Sequence, residues 1–253
     1  MQQLVNKLRK LVDDAERARA ADPRFLQDLH ALVAEFDRPP VRPPLLSDDF
    51  HDGNFSAAPT WTVYAGQFSV DPQFGLRTIV PLPAAATGSN TGAILLQALL
   101  SNLANPQGTS STARHATITA PLNLTNAFNI EFEFGSLVTG GQLAFGPSVP
   151  GDVYGGYRLV YVSTPRPSIK LVALRRGEQA IVAGRDLAAA LEDRKRHTLT
   201  WKRKRNGGMT VNLDGTQIIQ VTDQIFRESF AGITITNSGG DFVVRRVVVD
   251  TPG

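Results

Sequence analysis

No cysteine occurs among the 253 residues, which excludes disulfide staples, thiolate nucleophiles and thiolate metal sites. That absence fits a reducing compartment, and it fits many exported bacterial proteins equally well. An excess of one charge is also missing. The 26 Lys and Arg face 23 Asp and Glu, and a net charge of +3 is too small to argue for nucleic acid. The amino terminus, MQQLVNKLRKLVDDAERARA, has no continuous apolar run, so it reads as neither a secretory signal nor a membrane span. Synthesis in the cytoplasm is expected, and any place in a phage, appendage or surface assembly would be reached without a signal. A Ser-centred elbow, a Gly-rich phosphate loop and a dinucleotide fingerprint are absent, and His30, His51, His115 and His197 stand isolated, so no cofactor is expected.

What is present is β pattern. From Arg196 to Asp250 four or five short runs alternate with period two, broken by Asn206-Gly207-Gly208, Asp214-Gly215 and Ser238-Gly239-Gly240. Such breaks supply the positive φ angles of tight turns, so the segment reads as consecutive antiparallel strands. One apolar face of such a sheet must be buried against a second sheet, which the rest of the chain has to supply. The basic runs at Arg194, Lys195 and Arg196 and at Lys202, Arg203, Lys204 and Arg205 have no interleaved aromatics and read as a solvated face or a guarded edge.

Residues 1–37 differ. Leu4, Val5, Leu8, Leu11, Val12 and Ala15 recur at helical spacing; Asp22 and Pro23 then open a second helix with Phe25, Leu26, Leu29, Leu32, Val33 and Phe36 on its stripe. The pair reads as a helical hairpin for docking or oligomerisation, through a protein partner, through self-association or on its own sandwich. Residues 38–44 hold four prolines and read as a stiff spacer, which makes 45–253 the β domain.

That β domain opens with Asp48-Asp49-Phe50, Asp52-Gly53, a Trp in TWTV and Gln67-Phe68-Ser69-Val70. It closes with Asp214-Gly215, Phe-Ala-Gly-Ile-Thr-Ile and Val-Val-Val-Asp. Over residues 45–250 this punctuation resembles the concanavalin A-like lectin/glucanase domains, the laminin-G-like jelly rolls. The resemblance implies an all-β, two-sheet antiparallel sandwich, and it leaves the hairpin unmatched. Between the two ends, 81–92 reads as a loop and 93–100 as a short helix or, as the resemblance favours, a buried strand. A second loop at 103–114 is long enough to border a binding face. Strands follow at 115–120, 128–134, 142–145, 157–163, 169–175 and 179–183, then a short helix or turn at 186–192.

Glu131 and Glu133 in NIEFEFG share one strand face about 7 Å apart, a separation that overlaps the range glycosidase carboxylates use. The glucanases of the resembled family alternate three acids on one strand; here the third position is Gly135, which favours solvated surface or sugar hydrogen bonding over hydrolysis. Sugar binding needs flat aromatics edged by polar groups, and the best local candidate is Tyr154, Tyr157 and Arg158, with Tyr161 on the face of Tyr157. The same residues also read as core, as do Trp61 and Trp201. Asp48, Asp49, Asp52 and Asp250 suggest turn-forming caps or, as the resemblance implies, a structural calcium at Asp49 and Asp250. The sequence thus points first to a non-catalytic interaction or structural module, then to a carbohydrate-binding domain with a glycan partner, and last to a glycoside hydrolase.

Overall fold

The computed structural model describes residues 2–36, 43–82, 115–163, 166–175 and 178–252. The chain divides into two compact units, Met1–Pro43 and Pro44–Gly253. Residues 38–42 of the expected 38–44 spacer, most of the 81–92 loop, the apolar run 93–100 and the loop 103–114 lie outside the described residues.

The first unit is a pair of helices, α1 (Gln2–Arg17) and α2 (Pro23–Phe36). The N–H groups of Arg24 and Phe25 donate to Asp22 Oδ1 at 2.8 and 3.3 Å, the N-cap expected ahead of Pro23. Val12, Leu26 and Val33 are buried between the helices, with Leu8, Ala15 and Leu29 around them. Leu11, Phe25 and Leu32 were expected on the same stripes, yet they are 66, 56 and 43% exposed. Each stripe is wider than one facing helix can cover. Among the described residues no helix is long and apolar enough to cross a membrane.

The second unit is a two-sheet antiparallel jelly-roll sandwich. Its strands in chain order are β1 (Leu46–Asp48), β2 (Thr62–Ala65), β3 (Ser69–Asp71), β4 (Gly75–Val80), β5 (Ala116–Leu124), β6 (Phe128–Ser136), β7 (Gln142–Val149) and β8 (Asp152–Val162). They continue as β9 (Ser168–Arg175), β10 (Glu178–Asp186), β11 (His197–Arg203), β12 (Gly208–Leu213), β13 (Thr216–Thr222), β14 (Phe230–Asn237) and β15 (Gly240–Asp250). Eight strands form one sheet, ordered β13-β12-β11-β6-β15-β4-β3 with β1 also on β15; seven form the other, ordered β10-β9-β8-β7-β14-β5-β2. Alternating residues fill the space between them. Ile130, Phe132 and Phe134 of β6 face Phe145, Tyr157, Leu159 and Tyr161 of the other sheet, with Phe132 stacked on Phe145 at 3.9 Å.

Two expectations change here. The segment 196–250 is not one run of neighbours: β11, β12 and β13 are hairpin-linked in the eight-stranded sheet, but β14 joins β7 and β5 in the other. The Ser238-Gly239-Gly240 break therefore carries the chain from one sheet to the other. Period-two alternation fixes which face is apolar, not which strand lies alongside. Residues 187–196, expected in part as a short helix or turn at 186–192, are irregular with bends only.

On the seven-stranded sheet, the face turned away from the shared core is buried as well. Ala144, Val160, Val162, Val172 and Leu174 form a second apolar cluster there, and the side chains of Thr117, Thr119, Thr234 and Thr236 beside it are buried. The threonines satisfy one another across β5 and β14, Thr117 with Thr236 at 3.1 Å and Thr119 with Thr234 at 3.0 Å.

Candidate functional site

Between β7 and β8 the ladder slips. Ser148 pairs with Gly156 and Val149 with Asp152, so Val153, Tyr154 and Gly155 fall out of register. They fold over the outer face of the seven-stranded sheet, where Thr234 Oγ1 on β14 donates to the Val153 carbonyl at 3.0 Å. Gly156 permits the departure: its φ is +123°, and a Cβ there would lie 2.1 Å from the Pro147 carbonyl oxygen.

Arg158 pins this arch. It is fully buried, its Nη1 donating to the carbonyls of Pro147 at 2.7 Å and Tyr157 at 2.8 Å and its Nη2 to that of Val153 at 2.7 Å. Burial lowers its pKa, the Asp152 carboxylate opposes that shift, and the guanidinium stays charged at neutral pH. Asp152 in turn accepts the Tyr154 N–H at 3.0 Å through Oδ1. The arginine expected among ligand groups is thus the group that positions Tyr154.

The arch closes one side of a cleft of about 540 Å³. Thr62 and Tyr64 of β2, Thr119 and Pro121 of β5, Ser148 and Val149 of β7, Ala231, and Gly151–Tyr154 line it. Tyr64 is 54% exposed and Tyr154 is half-buried, its ring edge-on to His115 at 6.3 Å. Burial raises the Tyr154 phenol above its usual pKa, opposed by hydrogen bonding with Thr117. Two aromatic rings, three hydroxyl side chains and one carboxylate therefore converge on one apolar-floored depression. Tyr64, Thr62, Thr119, Ser148 and Asp152 escaped the sequence reading. Only Asp152, two residues before Tyr154, carried a local signal.

The other expected residues lie elsewhere. Tyr157 and Tyr161 point into the shared core and are buried, so neither offers a ring face to a ligand; this corrects their place among the ligand groups and agrees with the alternative reading as core. Tyr157 Oη donates to Asp223, and burial together with that bond pushes the phenol up to about 12. Tyr161 Oη donates to Glu192 Oε2 at 2.7 Å and accepts the Leu191 N–H at 2.9 Å, with burial again the main cause of its raised pKa. Arg203, expected on a solvated basic face, is buried beneath Tyr157 with its guanidinium 5.4 Å from the ring. It donates to the carbonyls of Asn126 at 2.7 Å, Asp223 at 3.0 Å and Phe226 at 2.9 Å.

Glu131 and Glu133 do share one outward face, that of the eight-stranded sheet, and they line neither this cleft nor the larger one described below. Arg246 holds Glu131 at 2.9 Å, while Arg196 and Arg245 each approach Glu133 at 3.7 Å. Asp49 and Asp250 do not converge. Leu46 faces Val249 and Asp48 faces Val247, so the two aspartates run to opposite ends of the β1–β15 pairing, about 13 Å apart along the strands. Asp49 accepts the His51 N–H at 3.1 Å, and Asp250 accepts from Asn129 Nδ2 at 2.6 Å. No group of three or more His, Asp or Glu among the described residues could hold a metal ion. Asp48 is a buried anchor, accepting the Phe50 N–H and Trp61 Nε1–H at 2.8 Å each.

A larger cleft of about 690 Å³ opens at the end of the sandwich, between the β7–β8 connection, the end of β9 and residues 224–230. Its aromatics, Phe226 and Phe230, are buried, and its rim carries Arg175, Arg227 and Glu228. It lacks the open ring faces of the first cleft.

No protein-family model matches the chain, and no curated protein matches it in sequence. Solved structures do resemble it. The carbohydrate-binding module CBM66 from Bacillus subtilis superposes with a TM-score of 0.54 at 13% identity, covering 76% of this chain and 95% of that one. The carbohydrate recognition domain of Emp46p gives 0.54 at 12% over 82% and 95%. A Bacillus licheniformis β-glucanase gives 0.57 at 10% over 84% and 100%. At these identities the likeness is one of fold, and that fold is the concanavalin A-like jelly roll.

Proposed function

We propose that the sandwich is a carbohydrate-binding module whose ligand enters the Tyr64–Tyr154 cleft. The observation that carries this reading is the pairing of accessible tyrosine rings with the exposed Thr62 hydroxyl and the Asp152 carboxylate in one depression, whose lining also includes Thr119 and Ser148. A pyranose stacks its C–H face on an aromatic ring while its hydroxyls take directional hydrogen bonds, and both requirements meet there. The neighbouring folds that carry carbohydrate-binding and carbohydrate-recognition names support the same reading. The reading includes no catalytic step, because the glutamate pair lies outside the cleft and each member already faces arginine. A glycan array tests it. At least one glycan class should bind the full chain, and Tyr154→Ala and Tyr64→Ala should each weaken binding about tenfold, the loss of one stacked ring. Silence across the array would retire the proposal.

A second reading assigns the hairpin to assembly. Leu11, Phe25 and Leu32 favour it, because three large apolar side chains stand exposed on so small a unit.

A further inference from the structure

The two clefts share a wall. Val149 and Asp152 line both, and the strand that follows contributes Phe230 to the larger cleft and Ala231 to the smaller. Phe230 faces the shared core and its neighbour faces outward, so one ridge separates a depression on the sheet face from one at the sandwich end. A ligand longer than one sugar ring and seated at Tyr64 and Tyr154 would cross that ridge into the larger cleft.

The far side differs in charge. Arg175 and Arg227 are exposed on its rim, and neither guanidinium makes a hydrogen bond or ion pair among the described residues. The carboxylates that line the cleft are Asp152, whose Oδ1 accepts the Tyr154 N–H, and Glu228. Glu178 also stands opposite Arg175 across the β9–β10 pairing, yet among the described residues none of these carboxylates forms an ion pair with either guanidinium, so both keep their donors available. A guanidinium presents two parallel N–H donors that match the paired oxygens of a carboxylate or sulfate, and it gains little from a neutral hydroxyl. The apolar floor of Val149, Ile225 and Phe226 suits the C–H face of the ring that would carry the anion.

We propose that the two clefts form one extended track for an acidic oligosaccharide, with a neutral ring at Tyr64 and Tyr154 and an anionic sugar held by Arg175 and Arg227. This rests on the carbohydrate reading and adds to it a ligand length and a ligand charge.

The test uses the full chain and an array carrying matched oligosaccharides that differ only in charge: neutral, uronate-bearing and sulfated. Acidic members of two or more residues should bind about tenfold more tightly than their neutral counterparts in about 50 mM salt, and the advantage should shrink in about 500 mM. The two acidic arms show whether carboxylate or sulfate is preferred. The double variant Arg175→Ala, Arg227→Ala should lose the advantage while keeping neutral binding, and Tyr154→Ala should weaken both. Both side chains are exposed and make no ion pair among the described residues, so the double variant should fold; an unchanged thermal midpoint checks this. Equal binding of neutral and acidic members, or a preference that survives in the double variant, overturns the track and leaves the tyrosine cleft standing. If no oligosaccharide binds at all, the carbohydrate reading falls and the track falls with it.

Discussion

Buried arginines decide the local shape of this sandwich. Arg158 sits on the outer face of its sheet with no carboxylate bonded to it among the described residues, and its donors gather backbone carbonyls around the slipped ladder. Replacing it with methionine strands the Pro147 and Tyr157 carbonyls, at about 1–3 kcal/mol for each group, while the Val153 carbonyl keeps the Thr234 hydroxyl. Relief of the buried charge offsets part of that cost. The net loss for Arg158→Met should be on the order of 3 kcal/mol, a fall in Tm of roughly 6–12 °C for a domain of this size. The diagnostic result lies in binding. Arg158 does not line the cleft, yet its loss frees the Val153–Gly155 arch and with it Tyr154, so glycan affinity should fall as far as in Tyr154→Ala. Thermal melts together with array binding measure both effects, and retained affinity in a destabilised variant would show that the arch holds without its pin. The sequence offered Arg158 beside two tyrosines and suggested a ligand group. What it could not supply was depth, because alternation on a strand covered on both faces does not distinguish a charged side chain in solvent from one turned back on its own backbone.

Turns separate more cleanly into those that the sequence dictates and those that the fold demands. Asp214 and Gly215 both take positive φ, 49° and 81°, the geometry of a two-residue hairpin, and the dipeptide announces it. A Cβ at Gly215 meets nothing within 4 Å, so Gly215→Ala should cost only the left-handed backbone penalty, about 1 kcal/mol. At Gly156 the Cβ has no room, 2.1 Å from the Pro147 carbonyl and 3.1 Å from Ser148 Cα, and backbone cannot give way as a side chain can. Gly156→Ala should cost about 3 kcal/mol, the upper range of overpacking, and should disturb the cleft as well. Denaturant midpoints of the two variants measure the contrast, and similar midpoints would refute it. The same division accounts for what was legible. Five strands from His197 to Asp250 and the hairpin turns could be placed from alternation and Gly-containing dipeptides. The crossing at Ser238-Gly239 could not, since a glycine that reverses the chain within one sheet looks the same as one that passes it to the next. Tyr64 was invisible for a related reason: it reaches the cleft only through the pairing of β2 with β5, far along the chain from Tyr154.

For the whole molecule, the contrast is between a small helical unit and a large sandwich. The sandwich has a continuous core of more than thirty buried residues and needs no help to be a stable domain. Among the described residues the hairpin buries three large side chains between helices of 16 and 14 residues. Units below about 40 residues usually depend on disulfides, metals or association, and this chain has no cysteine to supply the first. Leu11, Phe25 and Leu32 are the apolar surface through which association would act, and Phe25 and Leu32, seven residues apart, fall on one face of α2. If the hairpin assembles copies of the chain, several carbohydrate sites are presented together, and weak single-site affinities combine into much tighter binding to a multivalent glycan. Light scattering on the full chain should then give a mass of two or more chains, while a variant lacking residues 1–44 should be a monomer with unchanged affinity for a monovalent sugar and weaker binding to an immobilised polysaccharide. Leu11→Asp with Phe25→Asp should reproduce the truncation without shortening the chain. Equal masses for the full and truncated chains would remove assembly from the hairpin's role, and the binding activity proposed for the sandwich would stand unaffected.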